Sequence, residues 1–222
     1  MSKKVTFEDL KNNSDVNTYI KMADKSLSAL GFTEHSFAHV AKVSATVKYI
    51  LETMGYSERE VELGMMAGYL HDIGIVVNRV DHSQSGAIMA FRLLDHLDMP
   101  AEEIAFIISA IGNHDEGTGV PVNAVAAALI LADKSDVRRS RVRNRDISKF
   151  DIHDRVNYSV EKSSLKISDD KKYIPLFLDI DAHYSSIMDY FEIFLGRMVL
   201  CRKAAEKLNL GFKLMINGQP LI

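Results

Sequence analysis

The sequence predicts a mainly α-helical fold, in which a helical bundle is followed by a small C-terminal α+β appendage of antiparallel strands and one long helix. Apolar residues recur at spacings of three and four from residue 14 to about residue 137, which is the periodicity of amphipathic helices. From Phe150 onwards the period falls to two, which is typical of strands. A last helical stretch over residues 182–208 completes the appendage.

The bundle helices are predicted from this spacing and from local signals at their ends. The expected helices cover residues 14–30, 36–54, 58–70, 83–97, 101–111 and 122–137. Gly55 ends the second of these, and Ser57 with Glu60 forms a capping box that begins the third. Pro100 takes the first position of the fifth helix, where its missing N–H costs nothing.

The appendage is predicted from alternation of apolar and polar residues. One strand is expected around Val156, Tyr158 and Val160, and a second over residues 174–180. The turn Ser168-Asp169-Asp170 makes the two strands an antiparallel pair, and Pro175 places part of the second strand at an edge. A final strand is expected over residues 212–216.

These features divide the chain into three parts. Residues 1–13 are polar and are expected to form a loosely held N-terminal arm, residues 14–145 the helical domain, and residues 146–222 the C-terminal α+β subdomain. The chain has 222 residues, of which 47% are apolar, so it can bury a sizeable core.

Charge and composition exclude several classes of function. The net charge is −3 with 26% charged residues, so no overall basic field recruits nucleic acid or anionic lipid. The single cysteine, Cys201, cannot form an internal disulfide. No apolar run is long enough to span a bilayer, and the first residues lack the apolar core of a signal peptide. We therefore expect a cytoplasmic protein with no membrane partner.

The pair His71-Asp72 follows an otherwise apolar helix. By itself it permits two interpretations: a core histidine beside a capping carboxylate, or two ligands for a metal at the helix end. Further polar residues lie at the ends or inward faces of the predicted helices, namely His35, His39, His82, His114 and Asp133. A mixed set of nitrogen and oxygen donors suits a divalent first-row metal in a catalytic site.

The order His39, His71-Asp72, Asp133 resembles the H…HD…D pattern of the HD-domain metal-dependent phosphohydrolases. The resemblance covers residues 30–140 and extends to flanking residues. These are His39-Val40-Ala41-Lys42-Val43, Gly68-Tyr69-Leu70-His71-Asp72-Ile73-Gly74 and Leu131-Ala132-Asp133. It implies an HD-type helical bundle in which His39, His71, Asp72 and Asp133 hold one divalent metal ion (Mn, Fe, Ni, Mg or Zn). It also implies hydrolysis of a phosphate ester or anhydride of a small, nucleotide-like substrate by a metal-activated water.

Two-metal members of the family carry additional histidines, and this chain resembles them in part. His82 and His114 stand where such ligands belong, but Asn113 replaces the histidine that would precede His114. Asp72 would bridge the two metals, and His35 is a further ligand candidate because it lies four residues before His39.

A partial likeness to the subgroup that cleaves cyclic dinucleotides does not extend to the substrate. Residues 117–121 are similar to its Gly-Tyr-Pro loop, but Val120 replaces the tyrosine and Ile75 stands where that subgroup has a lysine.

Charged residues near the expected ligands suggest catalytic roles. Lys134 and Arg138 lie four apart on the helix that carries Asp133 and are expected to bind the substrate phosphate. Asp115 or Asp136 would act as a general acid or base. Asp72 would take part in catalysis as a residue of the metal site.

Three other interpretations remain open. An HD-type module could sense a nucleotide or metal without turnover, as the departures at Ile75 and Asn113 would allow. A run of arginines could bind nucleic acid, although helix-end and ion-pair roles are favoured: Arg138, Arg139, Arg141, Arg143 and Arg145. The long C-terminal helix has apolar positions for a homo-oligomer as well as for its own sheet.

Overall fold

The computed structural model describes residues 4–221, which form α-helices followed by a small C-terminal sheet. The helices of this part of the chain are α1 Phe7–Lys11, α2 Ser14–Ala29, α3 Phe37–Met54, α4 Glu58–Leu70, α5 His82–Asp95, α6 Ala101–Gly112, α7 Ala124–Lys134, α8 Ile152–Ser159 and α9 Ile187–Lys207. The strands are β1 Val160–Leu165, β2 Tyr173–Ile180, β3 Gly211–Ile216 and β4 Gln219–Pro220. The predicted fold class is confirmed.

Local signals begin and end the bundle helices where the sequence indicates. Ser57 accepts a hydrogen bond from the Glu60 amide while the Glu60 carboxylate accepts one from the Ser57 amide, so the capping box of α4 is present. Gly55 ends α3 in the left-handed region at φ +83°. Asn123 caps α7 through the Ala126 amide, and the helix ends at Lys134, so α7 is shorter than the expected 122–137.

Close packing brings α3, α4 and α5 together at one end of the bundle. A Cβ on Gly68 of α4 would lie 3.1 Å from the Ser44 Cα of α3, so this glycine lets the two helices approach. A Cβ on Gly74 would lie 2.1 Å from the His82 carbonyl oxygen and 2.3 Å from the Gly86 amide nitrogen. Gly74 is therefore the residue that permits α5 to begin directly against the end of α4.

The sheet has the order β1-β2-β3-β4, with antiparallel outer pairs and a parallel β2–β3 pair joined through α9. The predicted antiparallel pairing of the first two strands is confirmed. Pro175 does not lie on an edge strand, because β2 pairs with β1 on one side and β3 on the other. Its register position falls just beyond Leu165, the last residue of β1, so the ladder loses no donor there.

Three expectations from the sequence differ from the structure. Val156 and Tyr158 belong to helix α8 and not to a strand, because Asp151 caps a helical turn through the Asp154 amide and only Val160 begins β1. Helix α9 begins at Ile187, where Ser186 and Asp189 form a capping box, and not at residue 182. Finally, α5 includes His82 as its first residue.

The N-terminal segment is packed against the bundle from Lys4 onwards and is not loosely held. Thr6 and Asp9 form a capping box for α1, Leu10 is fully buried, and the Phe7 amide donates to the Glu62 carboxylate. Residues 1–3 lie outside the described part of the chain. Within residues 4–221, no helix has both the length and the apolar character needed to cross a membrane.

Candidate metal centre

Five bundle helices present polar side chains at one common end. His39 comes from the first turn of α3, His82 from the start of α5, and Asp133 from the last turn of α7. His71 directly follows α4 and is followed by Asp72, and His114 comes two residues after the end of α6. The structure thus brings together six residues that the sequence singles out, on elements that are far apart along the chain.

The four histidines share one orientation, because each uses Nδ1 to contact an acceptor in the protein. The Nδ1 contacts are His39 to the Asp136 carboxylate (2.7 Å), His71 to the Gly68 carbonyl (2.9 Å), His82 to the Arg79 carbonyl (2.9 Å) and His114 to the Ile111 carbonyl (2.6 Å). A carbonyl or carboxylate accepts from a protonated Nδ1, so in the neutral imidazole Nε2 is the atom whose lone pair is left for a metal.

The first ligand group consists of His39, His71, Asp72 and Asp133. The Nε2 of His39 lies 3.5 Å from Asp72 Oδ2 and 3.3 Å from Asp133 Oδ1. The Nε2 of His71 lies 3.2 Å and 3.7 Å from the same two oxygens. These are the four residues of the H…HD…D pattern, and each of the two Nε2 atoms lies within 3.7 Å of both carboxylate oxygens.

Three donor atoms of this group are buried without a hydrogen-bond partner among residues 4–221: His39 Nε2, His71 Nε2 and Asp72 Oδ2. Buried polar atoms are nearly always paired, so three unpaired atoms facing one another need an explanation. A divalent cation that takes nitrogen and oxygen ligands would satisfy all three at once. The residues present therefore fit a metal ion.

A second ligand group lies beside the first. The Nε2 atoms of His82 and His114 are 3.2 Å apart, and they lie 3.6 Å and 3.9 Å from Asp72 Oδ1. Two imidazole lone pairs at this separation repel each other unless a proton or a cation lies between them. Asp72 presents Oδ2 to the first group and Oδ1 to the second, which is the geometry of a bridging carboxylate.

His35 and Asn113 contribute less to this arrangement. His35 lines the cleft and its ring centroid lies 5.4 Å from that of His39, but within the described residues it joins none of the three groups whose donor atoms lie within 4.8 Å of one another. The Asn113 amide donates to the Ser109 carbonyl and so binds its own helix. The second group therefore has two imidazoles and one shared carboxylate.

Burial and neighbouring charges shift the pKa values of the two imidazoles His71 and His114 in opposite directions. Burial would lower the pKa of His71, but the charges of Asp72 and Asp133 raise it to about 10. Burial, with His71 and Lys134 nearby, lowers the pKa of His114 to about 3, so this imidazole is neutral. Despite burial, which acts in the opposite direction, His71 holds the pKa of Asp72 well below its ordinary value, and Lys134 does the same for Asp133.

Asp136 lies behind His39 and does not face the cleft. Its carboxylate is 2% exposed and contacts four groups: His39 Nδ1 at 2.7 Å, Lys42 Nζ at 2.7 Å, Arg138 Nε at 2.9 Å and Arg141 Nη1 at 3.7 Å. Burial opposes ionisation, but the bond from His39 and the charge of Arg141 hold the pKa of Asp136 far below its ordinary value. This geometry gives Asp136 a positioning role in place of the acid-base role that the sequence suggested.

The two cations expected to bind phosphate are placed differently. Lys134 lines the cleft, where its Nζ contacts Glu116 Oε2 at 2.6 Å and Asp133 Oδ2 at 2.8 Å. Arg138 lies beyond the end of α7 and contacts Asp136 and Glu34, so the expected helical spacing from Lys134 is wrong. Arg141, from the same run, lines the cleft instead.

Most of the arginine run contacts other parts of this chain. Arg139 lies over the ring of Tyr158, with its guanidinium carbon 4.6 Å from the ring centroid. Arg141 is buried and donates to the Glu34 and Asp136 carbonyls, and Arg143 contacts Asp24. These contacts support the structural interpretation of the run.

The cleft beside the metal centre has a volume of about 130 Å³ and includes residues that sequence reasoning missed. Asp115 lines it as expected, and its side chain has no hydrogen bond or ion pair within residues 4–221. Besides Arg141, the missed residues include Glu116 and Arg197, which contact each other at 2.9 Å. Glu116 stands next to His114-Asp115 in the sequence, a signal that could have found it, whereas Arg197 sits in an amphipathic helix with no local signal.

Comparison with known proteins agrees with this site. The model of the HD domain family matches residues 36–156, more than half of the chain, so this protein belongs to the HD-domain family of metal-dependent phosphohydrolases. The matched region contains His39, His71, Asp72 and Asp133.

Two other proteins are similar to this chain. Protein MJ1020 of Methanocaldococcus jannaschii is 26% identical over 191 residues, which cover 76% of this chain and 73% of that protein. The crystal structure of a predicted HD superfamily hydrolase from an uncultured Thermotogales bacterium is 22% identical, with a TM-score of 0.45, and the match covers 56% of this chain and 67% of that one.

Proposed function

We propose that this protein hydrolyses a phosphate ester or anhydride of a small, nucleotide-like phosphorylated substrate, using a water activated by metal. The observation that supports it is the common orientation of four histidines, whose Nε2 atoms converge on the two oxygens of Asp72. A structural cluster would pair these atoms with one another, whereas several of them are left for a further ligand.

In this proposal His39, His71, Asp72 and Asp133 hold one divalent metal ion, and Asp72 shares a second with His82 and His114. Mn, Fe, Ni, Zn and, less well, Mg suit these nitrogen and oxygen donors. When bound, such an ion lowers the pKa of a coordinated water and neutralises charge on the phosphoryl oxygens.

The chain's own residues carry the remaining steps. Asp115 faces the cleft with a free carboxylate, so we assign it the proton that the attacking water loses as the new P–O bond forms. It returns that proton to the leaving oxygen as the old P–O bond breaks. Lys134 lies beside Asp133 and stabilises the phosphoryl charge.

The experiment combines metal analysis with a hydrolysis screen. Purified protein should contain one or two equivalents of a divalent metal and should release product from p-nitrophenyl phosphate, its bis ester or a nucleotide. Asp72→Ala should lose both metal and activity, because Asp72 contacts both ligand groups. Asp95→Ala, the same change at an exposed position at the end of α5, is the control and should keep both. Full activity of Asp72→Ala on every substrate that the wild type cleaves would contradict the proposal.

The alternative is an HD module that senses a nucleotide or metal without turnover. Asn113, which binds its own helix and supplies no ligand to the second group, favours it. Tight nucleotide binding without any product in the same screen would decide for this alternative.

A further inference from the structure

Arg197 is a polar residue of the cleft that the HD-family match does not include. It lies on α9, 41 residues beyond the end of the matched region 36–156, and lines the cleft together with Lys134 and Arg141. Its role therefore depends on the C-terminal part of this chain and on its own contacts.

Two contacts hold the guanidinium of Arg197 in one orientation. Its Nε donates to Glu116 Oε1 at 2.9 Å, and its central carbon lies 4.4 Å from the ring centroid of Phe194, a residue that is 2% exposed. The first contact fixes one edge of the planar group and the second fixes one face.

The opposite edge of the guanidinium is free. Nη1 and Nη2 have no hydrogen bond with any residue from 4 to 221, and the side chain, which lines the cleft, is 24% exposed. An arginine with one edge bound and the other free presents two parallel N–H donors, which match two oxygens of a phosphate. Because the orientation is fixed before binding, little side-chain entropy is lost when an anion binds.

Glu116 connects Arg197 to the metal centre. Its Oε2 contacts Lys134 Nζ at 2.6 Å, and Lys134 contacts the Asp133 carboxylate at 2.8 Å. Arg197 is thus linked through three ion pairs to Asp133, a residue of the first ligand group, and both residues line the same cleft.

We propose that Arg197 binds the non-bridging oxygens of a terminal phosphate, so that the substrate class is a phosphate monoester. This inference rests on the proposed function, because it requires a phosphoryl group at the metal centre. A monoester phosphate has three non-bridging oxygens and two negative charges, enough to face both the ligand groups and Arg197. A phosphodiester has only two such oxygens and one charge.

The test measures binding of inorganic phosphate, methyl phosphate and dimethyl phosphate by calorimetry to the metal-loaded wild type and to variants. We expect phosphate and methyl phosphate to bind at least tenfold more weakly to Arg197→Gln than to the wild type, and dimethyl phosphate to bind weakly to both. The affinity of Arg197→Lys for phosphate and methyl phosphate should lie between those of the wild type and Arg197→Gln, since lysine keeps the charge and loses the paired donors. Arg202→Gln, an exposed arginine on the same helix, is the matched control and should bind like the wild type. Metal content should be equal in all four proteins.

Equal phosphate affinity of Arg197→Gln and the wild type, with equal metal content, overturns the assignment of Arg197 and leaves the proposed function standing. If Arg197→Gln does not fold, the comparison passes to Arg197→Lys, whose unchanged affinity has the same meaning. A wild type that tightly binds dimethyl phosphate overturns the monoester class. A wild type that binds neither metal nor phosphate overturns the proposed function as well.

Discussion

At the residue scale, the site depends on which nitrogen of each imidazole carries a proton. Three of the four histidines donate Nδ1–H to a main-chain carbonyl, and only His39 uses a carboxylate, that of Asp136. A side-chain substitution does not remove a main-chain acceptor. The acceptor of His39 is the side chain of Asp136, two residues beyond the end of α7, so it can be removed by a single substitution.

Asp136→Ala is expected to lower metal affinity by about 10- to 100-fold, because His39 loses the acceptor that fixes its tautomer and ring orientation. Asp136→Asn keeps an oxygen acceptor and should lose less. The measurement is a competition titration with a coloured chelator, after circular dichroism shows that the variant is folded. An unchanged affinity in Asp136→Ala would show that the contact at 2.7 Å does not orient His39.

Metal binding is expected to release a proton from His71. The neighbouring carboxylates of Asp72 and Asp133 act against burial and raise its pKa to about 10, so the metal-free protein carries this proton at neutral pH. Since a metal requires the neutral imidazole, its apparent association constant should rise by about tenfold per pH unit between pH 7 and 9. Calorimetry in two buffers of different protonation enthalpy measures the proton directly. Binding without proton release at pH 7 would contradict this ionisation state.

At the element scale, the position of α5 relative to α4 decides whether a second ligand group exists. His82 is the first residue of α5, and the main chain of this helix passes so close to Gly74 that no Cβ fits between them. One glycine thus controls the distance between Asp72 and His82.

Gly74→Ala is expected to destabilise the protein by about 1–3 kcal/mol or more in free energy of unfolding, because the added methyl overlaps main-chain atoms that cannot rotate away. The shift of α5 should also reduce metal content towards one equivalent. The matched control is Gly196→Ala in α9, where nothing lies within 4 Å of the added Cβ. This control should stabilise by about 0.5–1 kcal/mol, since alanine is the better helix former. Urea unfolding measures both, and equal effects of the two changes would refute the packing argument.

At the scale of the whole molecule, the helical bundle and the C-terminal part share one core. Buried side chains of α9, such as Met198 and Cys201, belong to the same apolar cluster as Leu129 of α7 and Leu214 of β3. We propose that the division near residue 146 separates two regions of sequence with different periodicity, and that the two fold as one unit. The outward residues Met188 and Leu195 of α9 are exposed and leave the proposed homo-oligomer a surface to use.

The shared core predicts a single cooperative unfolding transition. Differential scanning calorimetry should give one peak whose van't Hoff and calorimetric enthalpies agree. Burial raises the pKa of the Cys201 thiol to about 12, so its reaction with a thiol reagent at pH 8 should report the same event. Reaction of Cys201 before the calorimetric peak, or two separate peaks, would mean that the C-terminal part opens independently.

The bundle and its first ligand group could largely be predicted from the sequence. Helix ends carry local signals, such as the capping box at Ser57 and the glycine at Gly55, and the structure confirms both. The H…HD…D residues were predicted from a resemblance to the HD-domain family, and the structure brings all four together. The turn residues Ser168-Asp169-Asp170 also predict the antiparallel pairing of β1 and β2, which the structure confirms.

The rest required the tertiary structure. The apolar residues Val156 and Val160, with Tyr158 between them, are compatible with a strand and with a short helix. In the structure Asp151 caps a helix through the Asp154 amide, so Val156 and Tyr158 belong to α8. No signal in the sequence distinguishes Asp136 from Asp115. In the structure the Asp136 carboxylate contacts His39 Nδ1, whereas Asp115 lines the cleft. Arg141, and not Arg138, reaches the cleft because α7 ends at Lys134.

The sequence by itself therefore determined the helical architecture, since this depends on periodicity and on signals at helix ends, and its resemblance to the HD-domain family indicated the family and the proposed ligands of the first group. Only the tertiary structure decided which charged residues act on the site. Glu116 and Arg197 lie 81 residues apart and meet only because α9 packs against α7 and carries a guanidinium to the cleft. The orientation of a charged side chain depends on the residues that surround it in the folded protein, and a local sequence pattern does not identify those residues.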